Sequence, residues 1–159
     1  MPNTQAIGVA FADPEFESVT VNGAITAASA SVTGAVSAGS VSATAVSGTT
    51  VTASGSLVLK SATVAAAGST QGNAAAVTAG FTLVTAADGT KGVVLPAASA
   101  GLVAIIKNGA ASTLKIYPAS GDAINALAAN ASYDIAANTS TLLVAYDATT
   151  WYSVPLVAS

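Results

Sequence analysis

The sequence contains no cysteine and no histidine, and its four basic residues are all lysines. The absence of cysteine excludes disulfide bonds and thiolate chemistry. The absence of histidine removes the side chain that most often acts as a general acid or base near neutral pH. The formal net charge is −3, and no basic stripe is present that could bind phosphates. We therefore expect no nucleic-acid partner.

Charged residues make up only 7% of the chain, whereas an average soluble domain carries about 25%. Small residues take their place, and the mean hydropathy is +0.67. A membrane-spanning helix requires about 20 consecutive apolar residues. The longest apolar stretch lies between Gly92 and Lys107, is shorter than that, and contains Pro96. We therefore expect no membrane-spanning segment and no membrane partner.

Residues 1–18 form a segment in which aromatic and acidic side chains are concentrated. Pro14 favours an extended backbone at the residue before it. Two interpretations stay open, a frayed terminus or a docking arm with two phenylalanine anchors flanked by acids that meet a basic patch on a partner. The candidate docking residues are Phe11, Asp13, Glu15, Phe16 and Glu17.

Residues 19–78 are repetitive. Val36, Val41, Val46 and Val51 recur every five residues, and each is followed by Ser or Thr. Val and Thr favour strands, whereas frequent Ser and Gly divide such a segment into brief strands and turns. Glycines spread through the region disfavour a helix, each by about 1 kcal/mol. The pattern predicts a β stalk.

This stalk has too little apolar surface to fold as a single layer. Ordering its backbone costs about 1–2 kcal/mol per residue, whereas each large aliphatic side chain contributes about 1.5–3 kcal/mol when buried. Three chains around one axis would bury the valines and close the strand edges, so we predict a β-helical or interwoven homotrimer. A solenoid within one chain and a disordered linker compete with this interpretation. The predicted trimer-interface residues are Val36, Val41, Val46, Val51, Leu57 and Leu59.

Residues 79–159 differ in composition from the repetitive region, because they contain more large apolar residues and sequence signals for hairpin turns. One predicted hairpin joins residues 81–84 to residues 93–95 through Asp88-Gly89, and another joins residues 102–106 to residues 114–117 through Asn108-Gly109. Asn-Gly and Asp-Gly supply the positive φ that tight hairpin turns require. The region predicts an antiparallel β-sandwich or barrel. The whole chain is thus expected to be all-β, with an extended arm, a stalk and a compact C-terminal domain.

The C-terminal region resembles a module common in virion proteins of tailed bacteriophages. The resemblance is carried by the run from Ile106 to Gly109 and by the run from Leu114 to Asn125, LKIYPASGDAIN. Tyr146-Asp147 and Trp151-Tyr152 fit the closing hairpin of that module. The family pattern usually has Gly after the Asn, where this chain has Ala126, so that turn differs. The resemblance covers about the last 80 residues.

The resemblance implies a homotrimeric protein on the exterior of a phage capsid. In such a decoration (cement) protein or head fibre, the arm would dock on the major capsid protein and the β-rich part would project outward. A tail fibre or fibre tip that binds a receptor or a glycan is the alternative. Its candidate sugar-contacting rings are Tyr133, Tyr146 and Trp151, although such residues more often fill the core of a small β domain.

Catalysis would have to rely on carboxylates, lysines, serines or tyrosines. Of the C-terminal acids, Asp88 and Asp122 stand beside Gly, and Asp147 precedes Trp151 in a predicted turn, which is an ordinary structural place for Asp. Asp134 completes this set. The sequence shows no calcium-binding loop and no phosphate-binding loop. We therefore expect a structural protein with no enzymatic activity, no metal and no cofactor.

Overall fold

The computed structural model describes residues 22–24, 29–43, 46–48 and 50–156. The chain divides into two compact units, residues 1–51 and residues 52–159. In the first unit, none of the described residues lies in a strand, and residues 52–60 at the start of the second unit also lie outside strands. Nothing in the described part of the chain forms a helix with the length and apolarity that crossing a bilayer requires.

The described residues of the second unit form ten strands and one short 3-10 helix. The prediction of an all-β chain is confirmed, since the residues described include no α-helix. The strands are β1 (Ser61–Ala65), β2 (Ala75–Ala76), β3 (Phe81–Ala86), β4 (Gly92–Val94), β5 (Val103–Asn108), β6 (Leu114–Tyr117), β7 (Ala123–Ile124), β8 (Tyr133–Ile135), β9 (Ser140–Ala145) and β10 (Thr150–Leu156), and the 3-10 helix covers Gln71–Asn73.

The first six strands stack in a solenoid-like manner. The chain alternates between two sheets, so that β1, β3 and β5 are parallel neighbours in one sheet, while β2, β4 and β6 are parallel neighbours in the other. Each strand of one sheet is thus followed by a strand of the opposite sheet, and successive coils lie on top of one another. After β6, the remaining strands pair with the stack or with one another in both parallel and antiparallel directions.

The last four strands extend the two sheets. In the six-stranded sheet, β9 pairs antiparallel with β5, β10 pairs antiparallel with β9, and β7 pairs parallel with β10. In the four-stranded sheet, β8 pairs antiparallel with β6. The domain therefore mixes parallel and antiparallel pairing, which differs from the predicted antiparallel arrangement.

Between the two sheets lies a single apolar core. Trp151 and Ile106 come from the six-stranded sheet, and Leu114, Ile116 and Val93 come from the four-stranded sheet, and all are fully buried. Burying one such side chain stabilises the fold by about 1.5–3 kcal/mol. The described core residues, from Ala66 to Trp151, all belong to the second unit.

The two predicted hairpins are wrong. Strand β3 pairs with β1 and β5, and β4 lies in the other sheet. At Asp88-Gly89 the predicted turn chemistry is present, since Gly89 has a φ of +88°, but the turn carries the chain from one sheet to the other.

The second Gly-containing turn also differs from its prediction. Asn108 is fully buried, and its Nδ2 donates to the backbone oxygens of Ser112 and Ala136, while its Oδ1 accepts from the Ala110 N–H. Gly109 is not among the glycines with positive φ. A Cβ there would lie 3.1 Å from Leu83 Cδ1, so close packing explains this glycine.

The compact domain also begins earlier than residue 79. Ser61 pairs with Phe81 in the ladder between β1 and β3, and Ala75 pairs with Val93 in the ladder between β2 and β4. The boundary predicted between residues 78 and 79 therefore lies inside the second unit, because residues 61–76 supply the first coil of the stack.

Candidate functional site

The predicted docking arm lies outside the described residues. This applies to all five candidate docking residues, Phe11, Asp13, Glu15, Phe16 and Glu17. Their role in docking therefore stays a prediction.

The predicted trimer-interface valines are all exposed. Val41 is 73% exposed, and Val36, Val46 and Val51 are exposed to a similar extent. Large aliphatic side chains at a regular spacing normally find a partner within their own domain. Here the described residues around them form no strand that could supply one.

Leu57 and Leu59 belong to the second unit, where they precede β1. Leu57 is almost fully exposed and Leu59 is partly exposed. Leu59 lies against Gly80, since a Cβ on that glycine would be 3.5 Å from the Leu59 Cβ. The N–H of Phe81 donates to the Lys60 carbonyl oxygen at 3.1 Å. The end of the repetitive region is therefore attached to the start of β3.

One face of the six-stranded sheet points away from the core and is apolar. Along β3, β5, β9 and β10, buried residues alternate with these outward residues. We call this surface the outer face. Its large apolar residues are Phe81, Leu83, Val103, Ile105, Leu142, Val144, Tyr152 and Val154.

Cross-strand pairing makes the outer face continuous. Phe81 pairs with Ile105, which pairs with Leu142, which in turn pairs with Val154. A second row runs from Val103 through Val144 to Tyr152. The sequence analysis did not predict this surface. A signal was present, because the runs VAII in β5 and TLLVA in β9 lack the alternation of apolar and polar residues that is typical of a strand with one solvent-exposed face.

The three candidate sugar-contacting rings are not brought together as one site. Trp151 is fully buried, which confirms the interpretation of this residue as core, and Tyr133 packs partly buried against that core. Tyr146 is 71% exposed. Its ring meets that of Tyr152 edge to face, with centroids 5.9 Å apart and an interplanar angle of 76°.

The predicted turn role of two aspartates is confirmed. Asp88 Oδ1 accepts hydrogen bonds from the hydroxyl and the N–H of Thr90 and from the N–H of Lys91. These bonds lower the pKa of Asp88 well below its usual range, and the bond from the Thr90 hydroxyl has the largest effect. Asp147 is held in the same way, and the N–H of Thr149 is the main cause of its lowered pKa. Both carboxylates organise their own turns.

The other two C-terminal acids also have structural partners. Asp134 accepts from Lys115 Nζ at 2.9 Å, and this bond raises the pKa of Lys115. Asp122 is buried and accepts from the N–H of Ala98 at 2.9 Å. Within the part of the chain that the structure describes, no three acidic side chains gather as a metal site would require.

A groove of about 300 Å³ opens at the beginning of β3 and β5. Its walls are largely apolar, with Val77, Pro96, Leu102 and Val103 among the lining residues and Lys60 as its charged member. Val103 also belongs to the outer face, so the groove and that face adjoin. Such a groove suits an apolar side chain better than a polar substrate.

Comparison with protein-family models, curated proteins and solved structures found no match for this chain. Its function is therefore inferred from its own residues and their geometry.

Proposed function

We propose that this chain is a structural virion protein, namely a homotrimeric decoration protein on the exterior of a bacteriophage capsid. The observation that carries the proposal is the exposed valine row, Val36 to Val51, in a chain whose second unit already buries a complete core. The regularly spaced apolar surface that these valines expose in one chain can be buried by contact with other chains.

Burial energetics support assembly of several copies. Each valine contributes about 1.5–3 kcal/mol when it is moved from water into a packed interior. Four buried valines would thus contribute about 6–12 kcal/mol per chain towards offsetting the entropy that ordering the stalk costs. The small residues between the valines let the backbones approach closely, and pairing between chains would satisfy backbone groups that a single layer leaves open.

The capsid as partner is supported by the sequence. The runs 106–109 and 114–125, with Tyr146-Asp147 and Trp151-Tyr152, resemble a module of tailed-phage virion proteins. In the N-terminal arm, Phe11 and Phe16 would be the apolar anchors, and the acids beside them would meet a basic patch on the major capsid protein. A non-catalytic role is supported by the four described aspartates, each of which bonds to its own turn or to a structural neighbour.

Binding to capsids tests the proposal. The purified protein is mixed with undecorated phage heads, and co-sedimentation measures how much is bound. We expect saturable binding by the full chain and none after deletion of residues 1–18. Replacement of Phe11 and Phe16 by Ala should weaken binding at least tenfold, whereas replacement of Asn3 and Gln5 by Ala is the control that leaves it unchanged. Equal binding by the deletion variant would contradict the role of the arm.

The alternative is a receptor- or glycan-binding fibre tip. It is favoured by one observation, the exposed edge-to-face pair of Tyr146 and Tyr152, because exposed aromatic rings offer apolar faces on which sugars stack. A glycan array tests it. Binding that is lost in Tyr146→Ala would support the fibre role, and an array without binding would remove it.

A further inference from the structure

We propose that the outer face of the six-stranded sheet is a contact surface between copies of this chain. The inference rests on the proposed homotrimer and names a second part of its interface, in addition to the valine row. It assigns the outward residues of β3, β5, β9 and β10 to a surface that is covered in the assembled protein.

The composition of the face carries the inference. Its two cross-strand rows contain seven large apolar side chains, and four of them, Phe81, Val103, Tyr152 and Val154, are between 38% and 51% exposed. Scattered exposed hydrophobic residues are ordinary, but a contiguous apolar patch of this kind marks an interaction surface. Ser61 and Thr63 on the edge strand β1 and Ser140 on β9 provide a polar margin.

The charges on the face point the same way. Among the described outward residues of its strands, Lys107 is the charged one, and its Nζ donates to the Asn138 carbonyl oxygen at one end of the sheet. Charged residues are depleted in the centre of interfaces, because burying an unpaired charge is costly. The face therefore fits an uncharged, apolar partner rather than an acidic or basic one.

A second copy of the chain is the occupant that the geometry favours. The repetitive region ends in Leu57 and Leu59, and Leu59 packs against Gly80, directly before Phe81. The outer face is thus continuous, at β3, with the leucines at the end of the predicted trimer contact. A contact between copies that includes these leucines would therefore extend onto the outer face.

The size of the face agrees with a partial contact. Four strands about 4.8 Å apart, with six residues of about 3.3 Å each, cover roughly 400 Å². A stable interface buries about 800 Å² on each partner. The outer face therefore supplies about half of a standard interface, and the repeat has to supply the rest.

A double substitution tests the assignment in the full chain. Val103→Glu and Tyr152→Glu place two charges in one cross-strand row, both at positions that already point outward, so the core is untouched. The matched control is Leu127→Glu, because Leu127 is as exposed as Val103 but lies in the turn after β7. Sedimentation equilibrium gives the mass, and circular dichroism reports the β fold.

The expected result is a mass near 15.1 kDa for the double variant and a threefold larger mass for the wild type and the control. A trimeric, folded double variant would overturn the outer-face assignment and leave the proposed trimer intact. A folded, monomeric wild type would overturn the proposed trimer itself and, with it, the assignment of the outer face to contact between copies.

Oxidative footprinting of the wild type keeps the inference testable if the double variant does not fold. In a single chain Tyr152 is half exposed. We expect its ring to be modified at least fivefold more slowly in the assembled protein than in a free tyrosine peptide. Modification at the rate of an exposed ring would overturn the assignment, and protection that appears only when a glycan is added would instead support the fibre alternative.

Discussion

Tyr152 lies directly opposite Val144 in the antiparallel ladder between β9 and β10, and both side chains point away from the core. Their neighbours in sequence, Trp151 and Leu143, are fully buried on the other side of the sheet. The sheet therefore has two apolar faces. One face covers the core of its own chain, and the other is exposed to solvent in a single copy. A subunit that assembles through this sheet requires such a second apolar face.

The valine row gives the first prediction. Replacing Val41 and Val46 by Asp should abolish assembly, because unpaired charges from three chains would meet near one axis and burying them is costly. The second unit should remain folded, since its core contains neither residue. Sedimentation equilibrium and circular dichroism check both statements.

The neighbouring hydroxyl residues provide the control for this pair. Ser42→Asp and Ser47→Asp add the same charge one position away, at described residues that are also exposed in a single chain. We expect this variant to assemble far better than the valine variant. If both variants assemble equally well, the valine row does not form the contact.

Close packing of two neighbouring strands gives the second prediction. A Cβ on Gly92 would lie 2.6 Å from Tyr117 Cε2 and 2.7 Å from the Lys115 carbonyl oxygen. Gly92→Ala should therefore destabilise the fold by about 1–3 kcal/mol, as overpacking usually does. Gly72→Ala is the control, because a Cβ there meets no atom within 4 Å. Equal denaturant midpoints for the two variants would show that β4 and β6 tolerate a wider separation.

A buried hydrogen bond gives the third prediction. Asp122 Oδ2 accepts from the Ala98 N–H and ties the loop after β4 to the turn after β6. Asp122→Ala leaves that buried N–H without a partner, at a cost of about 1–3 kcal/mol. Asp122→Asn keeps an acceptor oxygen and should cost clearly less. Urea unfolding measures both, and an alanine variant as stable as the wild type would mean that water replaces the carboxylate.

The acidic turns give the fourth prediction, on pH. Hydrogen bonds lower the pKa of both Asp88 and Asp147 below the ordinary value of 3.8. A lowered folded-state pKa contributes stability that is present above about pH 4 and is lost as the pH falls towards the folded-state pKa. The midpoint temperature of thermal unfolding should therefore be nearly constant between pH 5 and 7, since the chain has no histidine. Below pH 4 the midpoint temperature should fall.

The variant Asp88→Asn tests the origin of this acid sensitivity. Asparagine keeps the acceptor oxygen for Thr90 and Lys91 but does not titrate in this range. We expect a weaker decline below pH 4 in this variant than in the wild type. An unchanged pH profile would assign the sensitivity to other carboxylates.

Local features of the fold were predictable from sequence, whereas strand partners were not. The β-rich character, the core position of Trp151 and the turn role of Asp88 follow from residue type and immediate neighbours. The first hairpin failed because Asp88-Gly89 makes a tight turn equally well at a hairpin and at the corner of a coil, and the second failed because Asn108 is buried and Gly109 lacks a positive φ. The pairing of β3 with β1 and β5 depends on packing between residues far apart in sequence.

The candidate interface was predictable in part. The five-residue spacing distinguishes Val36 to Val51 in the sequence, because small residues surround them, and their place in the interface stays a prediction. The outer face was missed, because Leu142 and Val144 alternate with buried residues that are themselves apolar or uncharged, Thr141, Leu143 and Ala145. With no contrast between the two faces, the period of two that normally separates inside from outside is invisible in the sequence.

Sedimentation equilibrium of the unmodified full chain at micromolar concentration tests the central claim most directly. Assembly through the valine row and the outer face predicts a single species of about three times 15.1 kDa that persists on dilution. A folded species of 15.1 kDa over the same concentration range would contradict the homotrimer and, with it, both interface assignments.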